Sequence, residues 1–474
     1  MKKHRLFLIG IVLTSTSFLQ AQTLYGDCYS GGASGYGVVF NYNTITGKDS
    51  VNFSFNGTNG NSPYYSSGLL QAIDGMLYGT TSLGGTSNKG VLYMLNPMTG
   101  HDTVLLNFDG AVHGATPYGT LIQGKDGLLY GITSAGGDSS YGVLYSYDPV
   151  KLKDSVRVTL NKSITQGKNP YASLLQASDG FIYGVTSQGG LNKQGIIFRF
   201  NPETNNDTAL FSFAINTAPK GGLIQGTDGL LYGMTVHGGT SNAGTIYSYD
   251  PVKYKDSIRV NMDGTKGEYP WGSLVQAPSG KMYGLTYNDL VYNGGALFSF
   301  NPINNNDSVL MWLKPGTSGT GSNPYGSPII ASNGLVYFLT AHGAANGNGT
   351  LISYNPKTGK DTILVVFNAS INGATASGNL LEYKTVPTSL NNIALQKYAE
   401  VYPNPFHATT HILFTESGIH ILEVNNIAGR EIEKVECIGM QYDLQCNGFS
   451  PGIYFIKVFD QEQKYIAVAR IVIE

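Results

Sequence analysis

The chain has 474 residues with 62 Gly, 32 Tyr and 20 Phe, only 13% charged residues and a formal net charge of -2. So much glycine and aromatic content with so little charge excludes a helical or a disordered chain and predicts an all-β one with many turns. Lys and Arg are scattered, so no basic stripe is available to hold nucleic-acid phosphates.

The chain opens with the basic run Met1 to Arg5, an apolar run Leu6 to Leu13 and a Ser/Thr-rich stretch ending at Ala21. This order predicts a secretory signal peptide over residues 1–21, cleaved after Ala21, with an apolar run too short to span a bilayer as a transmembrane segment. Lipidation at Cys28 is not expected, because Asp27 stands where a small residue is needed.

Residues 22–383 are dominated by an internal repeat. A core tyrosine recurs seven times, at Tyr25, Tyr78, Tyr130, Tyr183, Tyr232, Tyr283 and Tyr337, with spacings of 53, 52, 53, 49, 51 and 54. A glycine follows each tyrosine by 12 residues (Gly37, Gly90, Gly142, Gly195, Gly244, Gly295, Gly349). Further on, an aspartate closes a turn in each copy (Asp49, Asp102, Asp154, Asp207, Asp256, Asp307, Asp361). Each copy reads as four short strands. In the third these are Tyr118 to Gln123, Leu128 to Thr133, Gly142 to Tyr147 and Ser155 to Leu160. Asp126-Gly127 and its equivalents Asp74-Gly75, Asp179-Gly180 and Asp228-Gly229 supply the positive φ angles of a tight hairpin. Four strands at a period near 50 predict a propeller blade.

The first copy lacks its first strand, and an extra one, Ser377 to Glu382, follows the last copy. The chain thus holds seven of each strand type in permuted order, which predicts a closed ring, a seven-bladed β-propeller without an open sheet edge.

The phrases Gly127 to Gly137 (GLLYGITSAGG) and Gly229 to Gly239 (GLLYGMTVHGG) resemble the GloVer-type tandem repeat of bacterial surface and secreted proteins. That resemblance implies a propeller-like array and no particular activity. Copies six and seven depart from it, with Asp289-Leu290 and Gly343-Ala344 in place of the glycine pair.

A polar linker, residues 384–397, leads to a second pattern over 398–474. Val401 to Phe406, a hairpin Glu423 to Ile432 turning at Ala428-Gly429, and closing strands Gly452 to Val458 and Ala467 to Ile473 predict a small C-terminal β-sandwich. Tyr402-Pro-Asn-Pro405, Ala428-Gly429-Arg430 and Pro451-Gly-Ile-Tyr454 resemble the type A C-terminal sorting domain of the type IX secretion system. The resemblance implies that this machinery is a partner, that the route runs through the periplasm and across the outer membrane, and that the protein is secreted or attached at the cell surface. Cys437 and Cys446 lie close in sequence, and both a disulfide and two unbridged thiols remain open.

The longer connections of a blade share one face, which is the candidate binding surface. It carries an aromatic residue just before the first strand in four copies, Tyr118, Tyr171, Trp271 and Tyr325, each preceded by Pro. Lys220 and Ser377 stand there in two others, and Tyr64 and Tyr65 lie near it in the second copy. Such rings can stack on sugars or pack between blades. The repeat tyrosines are expected to pack against neighbouring glycine backbone, and the seven turn aspartates to hold their own turn amides. Asp27 stands where the other second strands carry Thr80, Ile132, Val185, Met234, Leu285 and Leu339; it is expected to be solvated, and a catalytic role would require it to be desolvated near a second acid. No residue is expected to be catalytic, and no cofactor or metal is expected, since no zinc or calcium spacing is found. The sequence therefore favours a non-catalytic propeller binding an extracellular glycan or surface protein. A polysaccharide lyase or hydrolase using carboxylates at the channel mouth, and a purely structural surface protein, are the alternatives.

Overall fold

The computed structural model describes residues 23–63, 67–160, 167–384, 399–402, 408–426, 431–446, 448–450, 452–459 and 465–473. The signal peptide, Tyr64 and Tyr65, nearly all of the linker, Pro403 to Phe406, the Ala428-Gly429-Arg430 turn and Pro451 lie outside the described residues. Every regular element among the described residues is a strand.

Among the described residues the repeats form six four-stranded antiparallel sheets and one, the third, that gains a fifth strand from Ala115–Pro117 of its incoming connection. In the fifth, Ile224–Gln225, Leu231–Thr235, Thr245–Asp250 and Lys255–Asn261 follow one another outward. The first strands are shorter than expected, two residues in the fifth sheet. The chain just before them runs so close to the neighbouring sheet that a Cβ on Gly221, Gly272 or Gly326 would overlap the next sheet's backbone.

The first sheet is assembled from both ends of the array. Leu381–Tyr383 pairs antiparallel with Thr23–Cys28, placing Thr23 opposite Tyr383 and Tyr25 opposite Leu381. Apolar clusters fill every junction between successive sheets. Tyr25, Val39, Leu69 and Leu77 join the first to the second, and Phe40, Tyr337, Leu351 and Phe367 join the seventh back to the first. The architecture is an all-β propeller, with its core distributed among these junctions.

Polar groups stitch the same seams. The inner-strand glutamines Gln123, Gln176, Gln225 and Gln276 each accept a backbone N–H from the preceding sheet, from Ile73, Lys125, Ser178 and Thr227, at 2.8 to 2.9 Å. Glu382 accepts from Ser332, and Lys384 N–H donates to Gln71, at the two seams that flank the first sheet.

The repeat residues take up three recurring tasks. The glycine 12 residues after each tyrosine has φ between +92° and +107°, and a Cβ there would overlap the carbonyl of a second-strand residue, Thr235 for Gly244. Only glycine enters the third strand this way. The repeat tyrosines bond the turn as well as packing on glycine: Tyr78, Tyr130, Tyr183 and Tyr232 donate to Asp74, Asp126, Asp179 and Asp228 at 2.6 to 2.7 Å, and the Tyr130 and Tyr232 rings lie against Gly124 and Gly226 of their own hairpins. In these turns only the glycine takes a positive φ, and the aspartate acts through its side chain. The glycine that follows the repeat tyrosine is covered by a ring of the third strand, such as Tyr145 over Gly131 and Tyr247 over Gly233. In the seventh sheet both partners change together. Phe338 replaces the glycine and pairs with Ile352, which replaces the ring, so the space stays filled.

The turn aspartates also act differently from expectation. The amides of the third turns are held by the residue ending the third strand, including Asn43, Asn96, Asp148, Asn201 and Asp250. Four of the expected aspartates instead accept from the connection that precedes their sheet: Asp102 from Asn59, Asp154 from His113, Asp307 from Lys266 and Asp49 from Asn372. Asx-turn chemistry needs the carboxylate or amide at the start of the turn, and the repeat aspartate stands at its end.

The C-terminal region is one curled five-stranded sheet. Its long strands Thr409–Asn426 and Glu431–Gln445 pair along their length, with an irregularity between Leu413 and Gly418. Ala399–Tyr402 joins one half of Thr409–Asn426 and Gly452–Phe459 the other, so both halves share a core of Ile412, Phe414, Leu422, Val424, Ile456 and Ile471. The layers of the expected sandwich are thus one continuous sheet. Cys28, Cys437 and Cys446 are unbridged.

Candidate functional site

The first strands converge at a neck lined by small polar residues. Thr120 N–H donates to Ser173, Gly222 to Ser273, Ser273 to Ser327, and Ser327 to the Asn379 side chain, each to the next sheet at 2.7 to 2.9 Å. Asn379 then reaches past Gly68 to Thr120 at 3.1 Å. The neck is therefore narrow, and what stands two residues before it forms a rim.

Tyr118, Tyr171, Lys220, Trp271 and Tyr325 occupy that rim position in the third to seventh sheets, and the fold brings all five into one arc. Tyr118 stacks on Tyr171, with centroids 5.0 Å apart and planes 14° apart. The Lys220 ammonium lies 3.9 Å from the Tyr171 ring centre and 5.0 Å from that of Trp271. Trp271 meets Tyr325 edge-on at 5.3 Å. All five are half-buried, unlike the repeat tyrosines Tyr130, Tyr183 and Tyr232, which are fully buried. Burial lowers the pKa of Lys220 from its ordinary value. Tyr287 completes the arc, 4.9 Å from Tyr325 with their hydroxyls 3.4 Å apart. It comes from the connection between the second and third strands, so a search at fixed spacing before each repeat tyrosine passes it by.

The opposite side of the rim is small and polar. Ser377 is buried, and its hydroxyl has no hydrogen-bond partner among the described residues. Asp27, expected to be solvated, is 2% exposed and accepts a 3.1 Å hydrogen bond from Ser67. Desolvation pushes its pKa up to about 7, against the smaller lowering by Ser67. The extra strand covers it: a Cβ on Gly378 would overlap its carboxylate. The other buried carboxylates among the described residues serve loops. Glu268 accepts from Asn288, and Asp289 gathers the amides of Val291, Tyr292, Gly294 and Gly295, doing with a side chain what the missing glycine pair does with backbone conformation. His237 packs on Tyr269, and no group of three metal-ligating side chains is found among the described residues.

A separate cavity of about 460 Å³ opens beside the fifth sheet, lined by Phe211, Phe213, Thr235, Tyr247 and Asp256 among others. Its origin is a short connection. From the buried residue after the outer strand to the rim, six residues intervene between Phe213 and Lys220, against eight between Met262 and Trp271 and eleven between Leu313 and Tyr325. Elsewhere a glycine of the connection sits on the second-strand threonine, as Gly114 does on Thr133 and Gly267 on Thr286. No such glycine reaches Thr235, and the space stays empty.

No match was found among curated proteins. Among solved structures, the chain is similar to a proposed 6-phosphogluconolactonase from Bacteroides fragilis, at 15% identity over 78% of this chain and 99% of that one, TM-score 0.52. A second, from Bacteroides uniformis, matches at 17% over 76% and 99%, TM-score 0.51. TolB from Acinetobacter baumannii matches at 15% over 60% of this chain, TM-score 0.40, and the chain spans only 62% of its length. At these identities the first two likenesses speak for the propeller fold alone. A secretion system C-terminal sorting domain matches residues 400–474, which makes the protein a secreted or cell-surface one handled by the type IX machinery. The Gloeobacter/Verrucomicrobia repeat matches residues 14–178 and 169–386, and the chain belongs to that repeat family.

Proposed function

We propose that this protein is a non-catalytic binding propeller that holds an extracellular glycan on its rim arc, having reached the cell exterior through its sorting domain. The observation that carries the reading is the contiguous, half-exposed arc Tyr118, Tyr171, Lys220, Trp271 and Tyr325, drawn from five successive sheets. Flat rings with polar tips stack on the apolar faces of sugars and reach their hydroxyls, and a row of them suits a polymer. The narrow neck beneath keeps a ligand at the rim. Residues 22–383 serve as the binding part, 384–397 as the linker and 398–474 as the export signal. The lyase or hydrolase alternative needs two acids within reach of one bond, and Asp27, Glu268 and Asp289 each have a hydrogen-bonding task of their own.

The test is a binding screen of the full chain against soluble polysaccharides, beside a variant carrying Tyr118→Ala, Tyr171→Ala, Trp271→Ala and Tyr325→Ala. A glycan bound by the parent and at least about tenfold more weakly by the variant is expected, since each lost ring contact removes about 0.5–1.5 kcal/mol. The melting temperature of the variant checks that the propeller persists. Equal binding by both overturns the rim as the site, and no binding by the parent overturns the glycan.

A further inference from the structure

We propose that the rim selects anionic glycans, with the Lys220 ammonium taking the sugar's carboxylate or sulfate while the flanking rings take its apolar face. This inference rests on the glycan reading above and adds a charge requirement to it. Lys220 is half-buried between Tyr171 and Trp271, and no described carboxylate pairs with it. An ammonium carries three N–H donors. Ring faces attract its charge but accept none of those hydrogen bonds in the manner of an oxygen. Burial without an anion is unfavourable for a cation, in keeping with the lowered pKa of this lysine.

The chain meets the same need elsewhere in its own fold. Lys266, in the next connection, is bonded to Asp307 at 3.0 Å, and the exposed Lys151 and Lys253 sit 3.1 and 3.2 Å from Asp148 and Asp250. The lysine at the centre of the arc has no such partner among the described residues, only the two rings that flank it. Local recognition is required, because a protein of net charge -2 offers no general attraction to polyanions.

The experiment compares matched ligands on the full chain. Polygalacturonate is set against its fully methyl-esterified form, and dextran sulfate against dextran, so that backbone shape is kept while charge is removed. At least one acidic member is expected to bind about tenfold tighter than its neutral counterpart, the scale of one charge-assisted hydrogen bond. Comparing the two pairs tells carboxylate from sulfate. Lys220→Met should erase the preference by bringing the acidic member down to the affinity of its neutral counterpart, Lys220→Arg should retain the preference, and the surface control Lys151→Met should change nothing. Raising the salt concentration should shrink the preference. Equal affinity for acidic and neutral members overturns the charge requirement and leaves the glycan reading standing. A preference that survives Lys220→Met assigns it to another residue and overturns the proposal. Failure of every ligand to bind overturns the glycan reading itself.

Discussion

The first and fifth sheets depart from the repeat in opposite directions. The first is built from two distant segments and is closed over at its centre: the returning strand buries Asp27, and the Ser377 hydroxyl has no hydrogen-bond partner among the described residues. The fifth is built from one continuous segment and is underfilled, since its short incoming connection leaves a cavity over Thr235 and Tyr247. These two sheets also supply the non-aromatic rim residues Ser377 and Lys220. Apolar and turn positions are held to type by packing around the whole ring, whereas a polar group is placed where the repeat is broken, because there the geometry differs from that of its neighbours.

The largest expected effect tests the first sheet. Deleting Ser377 to Glu382 removes the strand paired with Thr23–Cys28, the buried Leu380 and the Glu382 stitch to Ser332. Buried leucines contribute roughly 1.5–3 kcal/mol each, and the deletion also leaves an exposed sheet edge. Thermal unfolding followed by circular dichroism should show the transition lowered by more than about 10 °C or lost. An unchanged transition would mean that the returning strand does not close the ring.

Next is the carboxylate beneath that strand. Asp27 keeps its proton in the folded protein up to about pH 7 and loses it near its ordinary 3.8 when unfolded. Between those values the folded state binds more protons, so stability falls as pH rises through this window and levels off above it. Asp27→Asn removes the titration. The variant should match the parent at pH 3.5 and exceed it at pH 8 by a few kcal/mol, up to about 4. Urea titrations at several pH values measure this, and a parallel pH profile for parent and variant would sink the account of a protonated, desolvated acid.

Much of the fold was legible in the sequence because it rests on features that repeat. Tyr, Gly and Asp at fixed offsets and the permuted strand count gave the sheets and the pairing of Leu381–Tyr383 with Thr23–Cys28. What each repeated residue does was less legible. Tyr130 packs on glycine, Gly124, as its spacing suggests, but it also bonds the turn residue Asp126, and Asp154 bonds His113 of the incoming connection in place of its own turn. Spacing shows that a residue is required and leaves its partner undetermined when two elements lie within reach. The rim residues were found because they too keep a fixed offset. Tyr287 does not keep it, the glutamine stitches look like ordinary inner-strand polars, and the burial of Asp27 depends on Gly378 and the returning strand at the far end of the array. The cavity had one visible trace, the spacing of 49 between Tyr183 and Tyr232, the shortest in the array.

That shortest spacing supports the smallest and most discriminating expectation, which sets the fifth sheet against the third. In both, a tyrosine of the third strand lies over a glycine, so an added methyl meets a ring: Tyr145 over Gly131 and Tyr247 over Gly233. Overpacking of this kind costs about 1–3 kcal/mol when the neighbours cannot yield. Around Tyr145 they are fixed, since Phe108 packs against it at 5.2 Å and Gly114 seals the threonine beside it. Tyr247 also has an aromatic neighbour, Phe213 at 5.1 Å, but both line the cavity and can move into it. Gly131→Ala should therefore destabilise the protein by about 1–3 kcal/mol in urea unfolding, and Gly233→Ala by less than half as much. Equal costs would mean that the space beside the fifth sheet is not available to its core, and the contrast between a closed and an underfilled sheet would then rest on the first sheet alone.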